Sequence, residues 1–175
     1  MSNFENFDLD ELTALARLDI EQSRVEQALG KLKFVLSTDA APTEALSMAA
    51  RLYAQLGLFE RAKVLFERYL SIRPDAVEEE FQLGMVQLDK GESEQALATW
   101  EGMLKRLPTF PPGLFYSALI LNRQGKMAEA IRNLDVLLQT APADNLYFGR
   151  SKELLASIER GVVHQLPTLS QAYQS

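Results

Sequence analysis

The sequence repeats itself every 34 residues. Gly57, Gly91 and Gly125 keep that step, as do Ala62, Ala96 and Ala130, then Phe66, Trp100 and Leu134, then Pro74, Pro108 and Pro142. A further column, Ala50, Gly84 and Ala118, holds the same register upstream. A period of this length restricts the chain to an array of like units, each burying its apolar face against its neighbours.

Each column has a physical reading. Helical spacing fills both halves of a unit, as in Leu46, Ala49, Ala50 and Tyr53, then Ala62, Leu65, Phe66 and Tyr69. The glycine lies between the halves and lets the chain reverse. Small residues (Ala50/Ala62, Gly84/Ala96, Ala118/Ala130) fall where two antiparallel helices cross closely, because large side chains there would push the axes apart. Phe66, Trp100 and Leu134 fill the space toward the next unit. The prolines end each second helix, since the residue before proline resists the helical region. Three helix starts are expected from capping chemistry: Ser23 with Glu26, Asp75 with Glu78, and Thr109 ahead of Pro111 and Pro112.

Period, helix pairs and the Ala-x3-Phe/Trp/Leu…Pro ending resemble the tetratricopeptide repeat (TPR) family. The resemblance covers three full repeats, at 43–76, 77–110 and 111–144. The tryptophan expected early in each first helix is replaced by Leu46, Glu80 and Leu114, and of the three small-site positions Gly84 alone keeps glycine. A degenerate helix pair is read over 9–40, where Leu12, Leu15, Ala16, Ala28 and Leu32 hold the register but Ser23 stands in the glycine column and Ala40 in the proline column. A capping helix is read over 144–160, covering the last repeat as an array requires, with Gly161 ending it. The expected fold is therefore all-α: an α-solenoid of antiparallel helix pairs forming one domain over 1–161, followed by a tail over 162–175.

Composition narrows the function. The 175 residues carry a net charge of −6 and no cysteine. That balance opposes nucleic-acid binding, which needs a basic footprint, and the missing cysteines exclude disulfides and thiolate metal sites. The acidic amino-terminal stretch has no apolar signal-like core, so a cytoplasmic protein without membrane insertion is expected. No cofactor or metal is expected either. His164 is the single histidine, Glu78, Glu79 and Glu80 read as a favourable helix start, and Gly91 and Gly125 lack phosphate-loop spacing. Ser93 and Ser117 have no nucleophile setting. The sequence offers no catalytic constellation and reads as non-enzymatic.

One helix is too apolar for a single stripe: Leu114, Phe115, Tyr116, Ala118, Leu119, Ile120 and Leu121 leave almost no polar face before Asn122. The family resemblance implies a use, because first helices of such stacks line a concave groove. In this register the groove receives Arg17, Met48, Arg51, Phe81, Gln82, Met85, Leu88, Phe115, Tyr116, Leu119, Asn122 and Arg123. It is expected to be polar at its amino-terminal end and apolar at the other, a pattern that marks a binding surface. The alternative is that the carboxyl-terminal helix or tail covers these residues as ordinary core.

A protein-interaction adaptor binding a peptide or helix of a partner protein is the expected function. Two other readings stay open, a chaperone of secreted proteins resembling type III translocator chaperones, and a self-assembling structural unit. The groove lacks the lysine, asparagine and arginine set of TPR domains that clamp a carboxylate-terminated peptide. The apolar tail, with Val162, Val163, Leu166, Leu169 and Tyr173, is expected to occupy apolar surface on its own chain or on a second copy, the latter giving a homo-oligomer.

Overall fold

A computed structural model describes residues 4–161, so the tail and His164 lie outside the described residues. Among the described residues there are nine α-helices, one short 3-10 helix at Phe4–Asn6 and no strand. The helices are α1 (Leu9–Glu21), α2 (Val25–Leu36), α3 (Thr43–Gln55), α4 (Phe59–Ile72), α5 (Val77–Asp89), α6 (Ser93–Arg106), α7 (Pro111–Arg123), α8 (Met127–Thr140) and α9 (Leu146–Glu159). The contacts fall into two compact units that divide inside α5, Met1–Val86 and Gln87–Ser175.

The glycine column makes the turns. Gly57, Gly91 and Gly125 have φ of 71°, 81° and 76°, a left-handed conformation that costs glycine little. In each, the following N–H reaches back six residues inclusive: Leu58 to the Tyr53 carbonyl, Glu92 to that of Gln87 and Lys126 to that of Leu121, at 2.8–2.9 Å. These are Schellman closures, which satisfy carbonyls the helix end leaves orphaned. Ser23 adopts the same conformation at φ 58°, and Arg24 N–H bonds the Asp19 carbonyl at 2.7 Å. The degenerate turn thus keeps the geometry of the column without its glycine.

That result corrects the predicted caps. Ser23 is spent on the turn and Arg24 precedes α2 with no side-chain cap. Asp75 sits one residue too early for α5, which opens at Val77, and it lies 3.9 Å from Arg73 instead. Thr109 is likewise displaced, since Phe110 holds the cap position of α7 and the prolines occupy its first turn. The side-chain caps are elsewhere. Asp8 and Glu11 form a reciprocal capping box at α1, with bonds of 2.7 and 3.0 Å. Asn145 accepts from Tyr147 N–H at 2.9 Å to open α9.

The remaining columns pack as their sizes dictate. In the first unit Ala16, Ala28, Ala50 and Ala62 are fully buried between paired helices, as are Leu32 and Phe66 at the large-residue position. In the second unit Ala96, Ala118, Ala130, Trp100 and Leu134 are equally buried. Arg73, Leu107 and Ala141 each leave the helical conformation directly before a proline, with ψ of 73°, 73° and 143°. The 3-10 helix sets Phe4 against Phe34 of α2, ring centroids 5.6 Å apart.

Candidate functional site

The first helices α1, α3, α5 and α7 carry two informative columns. Positions 13, 47, 81 and 115 read Thr, Ser, Phe, Phe, and positions 17, 51, 85 and 119 read Arg, Arg, Met, Leu. One register therefore changes from polar to apolar halfway along the array.

In the first unit the polar half is closed by ion pairs between successive first helices. Arg17 of α1 holds Glu44 of α3 in a bidentate pair, with Nη2 at 2.6 and 2.7 Å from the two carboxylate oxygens and Nε at 3.0 Å from one of them. Both side chains are about half exposed, so the pair contributes at most ~1 kcal/mol. One repeat on, Arg51 of α3 repeats the motif against α5. Its Nη2 donates to Glu79 Oε1 at 2.9 Å, and Nη1 lies 3.9 Å from Glu78. Ser47 Oγ donates to the same Glu79 oxygen at 2.8 Å. Burial works against the Glu79 charge, but the bonds from Arg51 and Ser47 outweigh it and hold the carboxyl below its usual range. Gln82 Nε2 donates to Glu78 at 3.2 Å. Arg17 and Arg51, read from the sequence as groove residues, are thus already matched by carboxylates of the next helix. Met48, Phe81, Gln82 and Met85 of this unit are buried.

The second unit holds the rest. Leu88, Phe115, Tyr116, Leu119 and Asn122 are buried, whereas Arg123 is exposed. All of α7 from Gly113 to Asn122 is buried, which answers why it is apolar on every side. Tyr116 is the clearest revision of the sequence reading. Its ring lies 5.5 Å from Trp100 of α6 and 6.1 Å from Tyr147 of α9, so it fills the interior between helices. Burial pushes its phenol well above the ordinary value. Phe115 stacks edge-on to Tyr116 at 5.4 Å and meets Tyr147 at 5.5 Å. The expected open apolar surface is therefore, at Phe115, a face that α9 packs against; the side chains are withdrawn from water.

Sequence reasoning missed three sets of contacts. The pairing of Glu44, Glu78 and Glu79 with the arginines could have been found, since Glu44 follows Arg17 by 27 residues as Glu78 follows Arg51. Tyr147 needed the docking of α9, which no periodicity gives. Asp19 needed the turn geometry: its carboxylate is almost fully buried, yet bonds Arg24 Nε at 2.9 Å and Lys31 Nζ at 2.5 Å. Among the described residues no three His, Cys, Asp or Glu side chains gather as a metal site, and no helix is long and apolar enough to cross a membrane.

Comparison with known proteins agrees with this architecture. Two sequence models described as tetratricopeptide repeat match residues 19–88 and 81–145. The chain belongs to the tetratricopeptide repeat family, and as such is a protein–protein interaction scaffold. Over 90 residues, 51% of this chain, it is 34% identical to the "Probable biofilm formation methyltransferase WspC" of Pseudomonas putida; the match spans 21% of that protein. Among solved structures, MamA of Desulfovibrio magneticus RS-1 superposes with a TM-score of 0.70 at 18% identity, covering 87% of this chain and 96% of that one. A tetratricopeptide repeat protein of Parabacteroides merdae gives a TM-score of 0.78 at 16% identity, covering 87% and 60%. At these identities the likeness is one of fold.

Proposed function

We propose that this protein is a non-enzymatic adaptor that receives an apolar peptide or helix of a partner protein on the inner faces of its first helices. The observation that carries the reading is the switch from Thr13, Ser47, Arg17 and Arg51 to Phe81, Phe115, Met85 and Leu119 in the same columns. Apolar side chains at i, i+4 and i+7, as in Phe81, Met85 and Leu88, are the pattern that helix-in-groove docking uses. The adaptability of Met48 and Met85 suits a segment of varied side chains.

Affinity capture from the cells that make the protein tests it. Phe81→Leu and Phe115→Leu, which keep these buried positions apolar, are expected to weaken capture of a specifically bound polypeptide while keeping the helical circular-dichroism signal. Arg123→Glu, at an exposed site, is expected to weaken capture without any change in melting. Equal capture by all three variants would refute the inner faces as the binding surface.

A further inference from the structure

The structure holds an open apolar cleft in the first unit, lined by the second helices α2 and α4 and by Tyr53 of α3, and sharing no residue with the first-helix columns described above. Its volume is about 480 Å³, within the ~300–1,000 Å³ range of ligand pockets. Leu36 of α2, Tyr53 of α3, and Val64 and Leu65 of α4 form its apolar lining. Val64 is 60% exposed, although it is β-branched and apolar. Lys33 and Arg61 stand in the lining as cations, with Glu60 the one carboxylate among the lining residues. Arg61 is exposed, and its guanidinium lies over the Tyr53 ring at 5.6 Å, at the mouth of the cleft.

The repeat supplies a control for this site within the same molecule. Two repeats further on, 68 residues along, the same positions form a cleft of about 340 Å³ in the second unit. There Lys33 becomes Glu101, Arg61 becomes Glu129, Val64 becomes Arg132 and Leu65 becomes Asn133. One repeat on, Tyr53 and Leu65 become Gln87 and Thr99, which satisfy each other through a 2.8 Å bond from Thr99 Oγ1. The hollow is thus a product of the repeat geometry, but its apolar and cationic lining is not. Nothing in the helix packing requires an exposed valine between two cations, because the fold makes the same hollow with arginine and asparagine.

We infer that this cleft is a second protein-docking site, specific for an acidic amphipathic segment that seats a bulky aliphatic or aromatic side chain against Tyr53 and Val64 and places a carboxylate beside Lys33 and Arg61. The charge argument decides the partner class. In a chain of net charge −6, a patch with two cations and one carboxylate is a local reversal, and it attracts the kind of segment that the rest of the surface repels. Burial of one large apolar side chain provides the anchor, and the rim charges provide orientation.

The test is selection of random displayed peptides on the full chain, with counter-selection on Val64→Asp, followed by affinity measurement on the resynthesised peptides. Val64 is exposed, so this variant is expected to fold as the parent does. Recovered peptides are expected to pair Leu, Ile, Phe or Trp with Asp or Glu. Their affinity is expected to fall at least tenfold with Val64→Asp and with the Lys33→Glu, Arg61→Glu double variant, and to be unchanged by Phe115→Leu. An empty selection, peptides without the acidic residues, or loss with Phe115→Leu alone would overturn the inference; the last outcome would leave the inner-face reading standing. Light scattering and melting are run on the same variants. A dimer that Val64→Asp turns monomeric would give the cleft to a second copy, and a lowered melting temperature would give it to a segment of the same chain. Either result would also overturn the inference.

Discussion

Asp19 keeps a charge almost out of reach of water. Burial disfavours that charge, yet hydrogen bonds and attraction from Lys31 and Arg24 more than offset it and lower its pKa. Its two partners lie across the turn at Ser23, so the carboxylate fastens α1 to α2 where glycine is missing. The sign of the pH effect follows. A carboxyl whose folded pKa lies below its unfolded value of ~3.9 adds stability above that pH and loses it as pH falls through the folded value. Glu79 acts in the same direction. Thermal melts are expected to decline progressively below about pH 4, and Asp19→Asn is expected to flatten that decline while lowering the melting temperature at pH 7. A variant with the parent's acid profile would show that the Asp19 pair contributes nothing. Ser23 itself bears a strain that glycine does not. A left-handed conformation costs a non-glycine residue ~1–2 kcal/mol, partly returned by the stiffer unfolded chain. Ser23→Gly is therefore expected to raise the melting temperature by a few degrees, and a lower value would mean that the turn is not built as described.

At the scale of helices, much was legible in the sequence and the limits are instructive. The glycine, alanine, aromatic and proline columns foretold turns, close crossings, core and helix ends, because each depends on local conformation or on volume. The caps were misread at Ser23, Asp75 and Thr109 because side-chain chemistry was used without backbone geometry, while the capping box at Asp8 and Glu11 lay in plain view. The inner face was legible as a change of polarity but not as a contact map. Whether Arg51 is free or bound to Glu79 depends on the axial alignment of α3 and α5, and whether Phe115 is open depends on where α9 brings Tyr147. Packing at this scale has a direct test. Trp100 is fully buried against Tyr116, so Trp100→Ala is expected to cost roughly 3–5 kcal/mol. Ala96→Leu, at a closed helix crossing, is expected to cost about 1–3 kcal/mol by overpacking. Denaturant titration measures both, and parent-like midpoints would contradict the register.

For the molecule as a whole, repetition explains both the sameness and the differences along the chain. Repeats supply turns, crossings and hollows at fixed intervals, and residues off the repeated columns decide what each surface can hold. The first unit spends its first-helix columns on the Arg17–Glu44 and Arg51–Glu79 pairs, and the apolar members of the same columns come later. The claim that an apolar partner segment docks on the first helices is tested most directly by photo-crosslinking in the cells that make the protein. A benzophenone-bearing phenylalanine analogue at Arg123, exposed at the end of α7, borders the first-helix columns, and one at Arg132 of α8 samples the second-helix side of the same unit. The account predicts a discrete crosslinked adduct with another polypeptide from position 123 and none of that mass from position 132. Adducts from position 132 alone, or from neither, would contradict it.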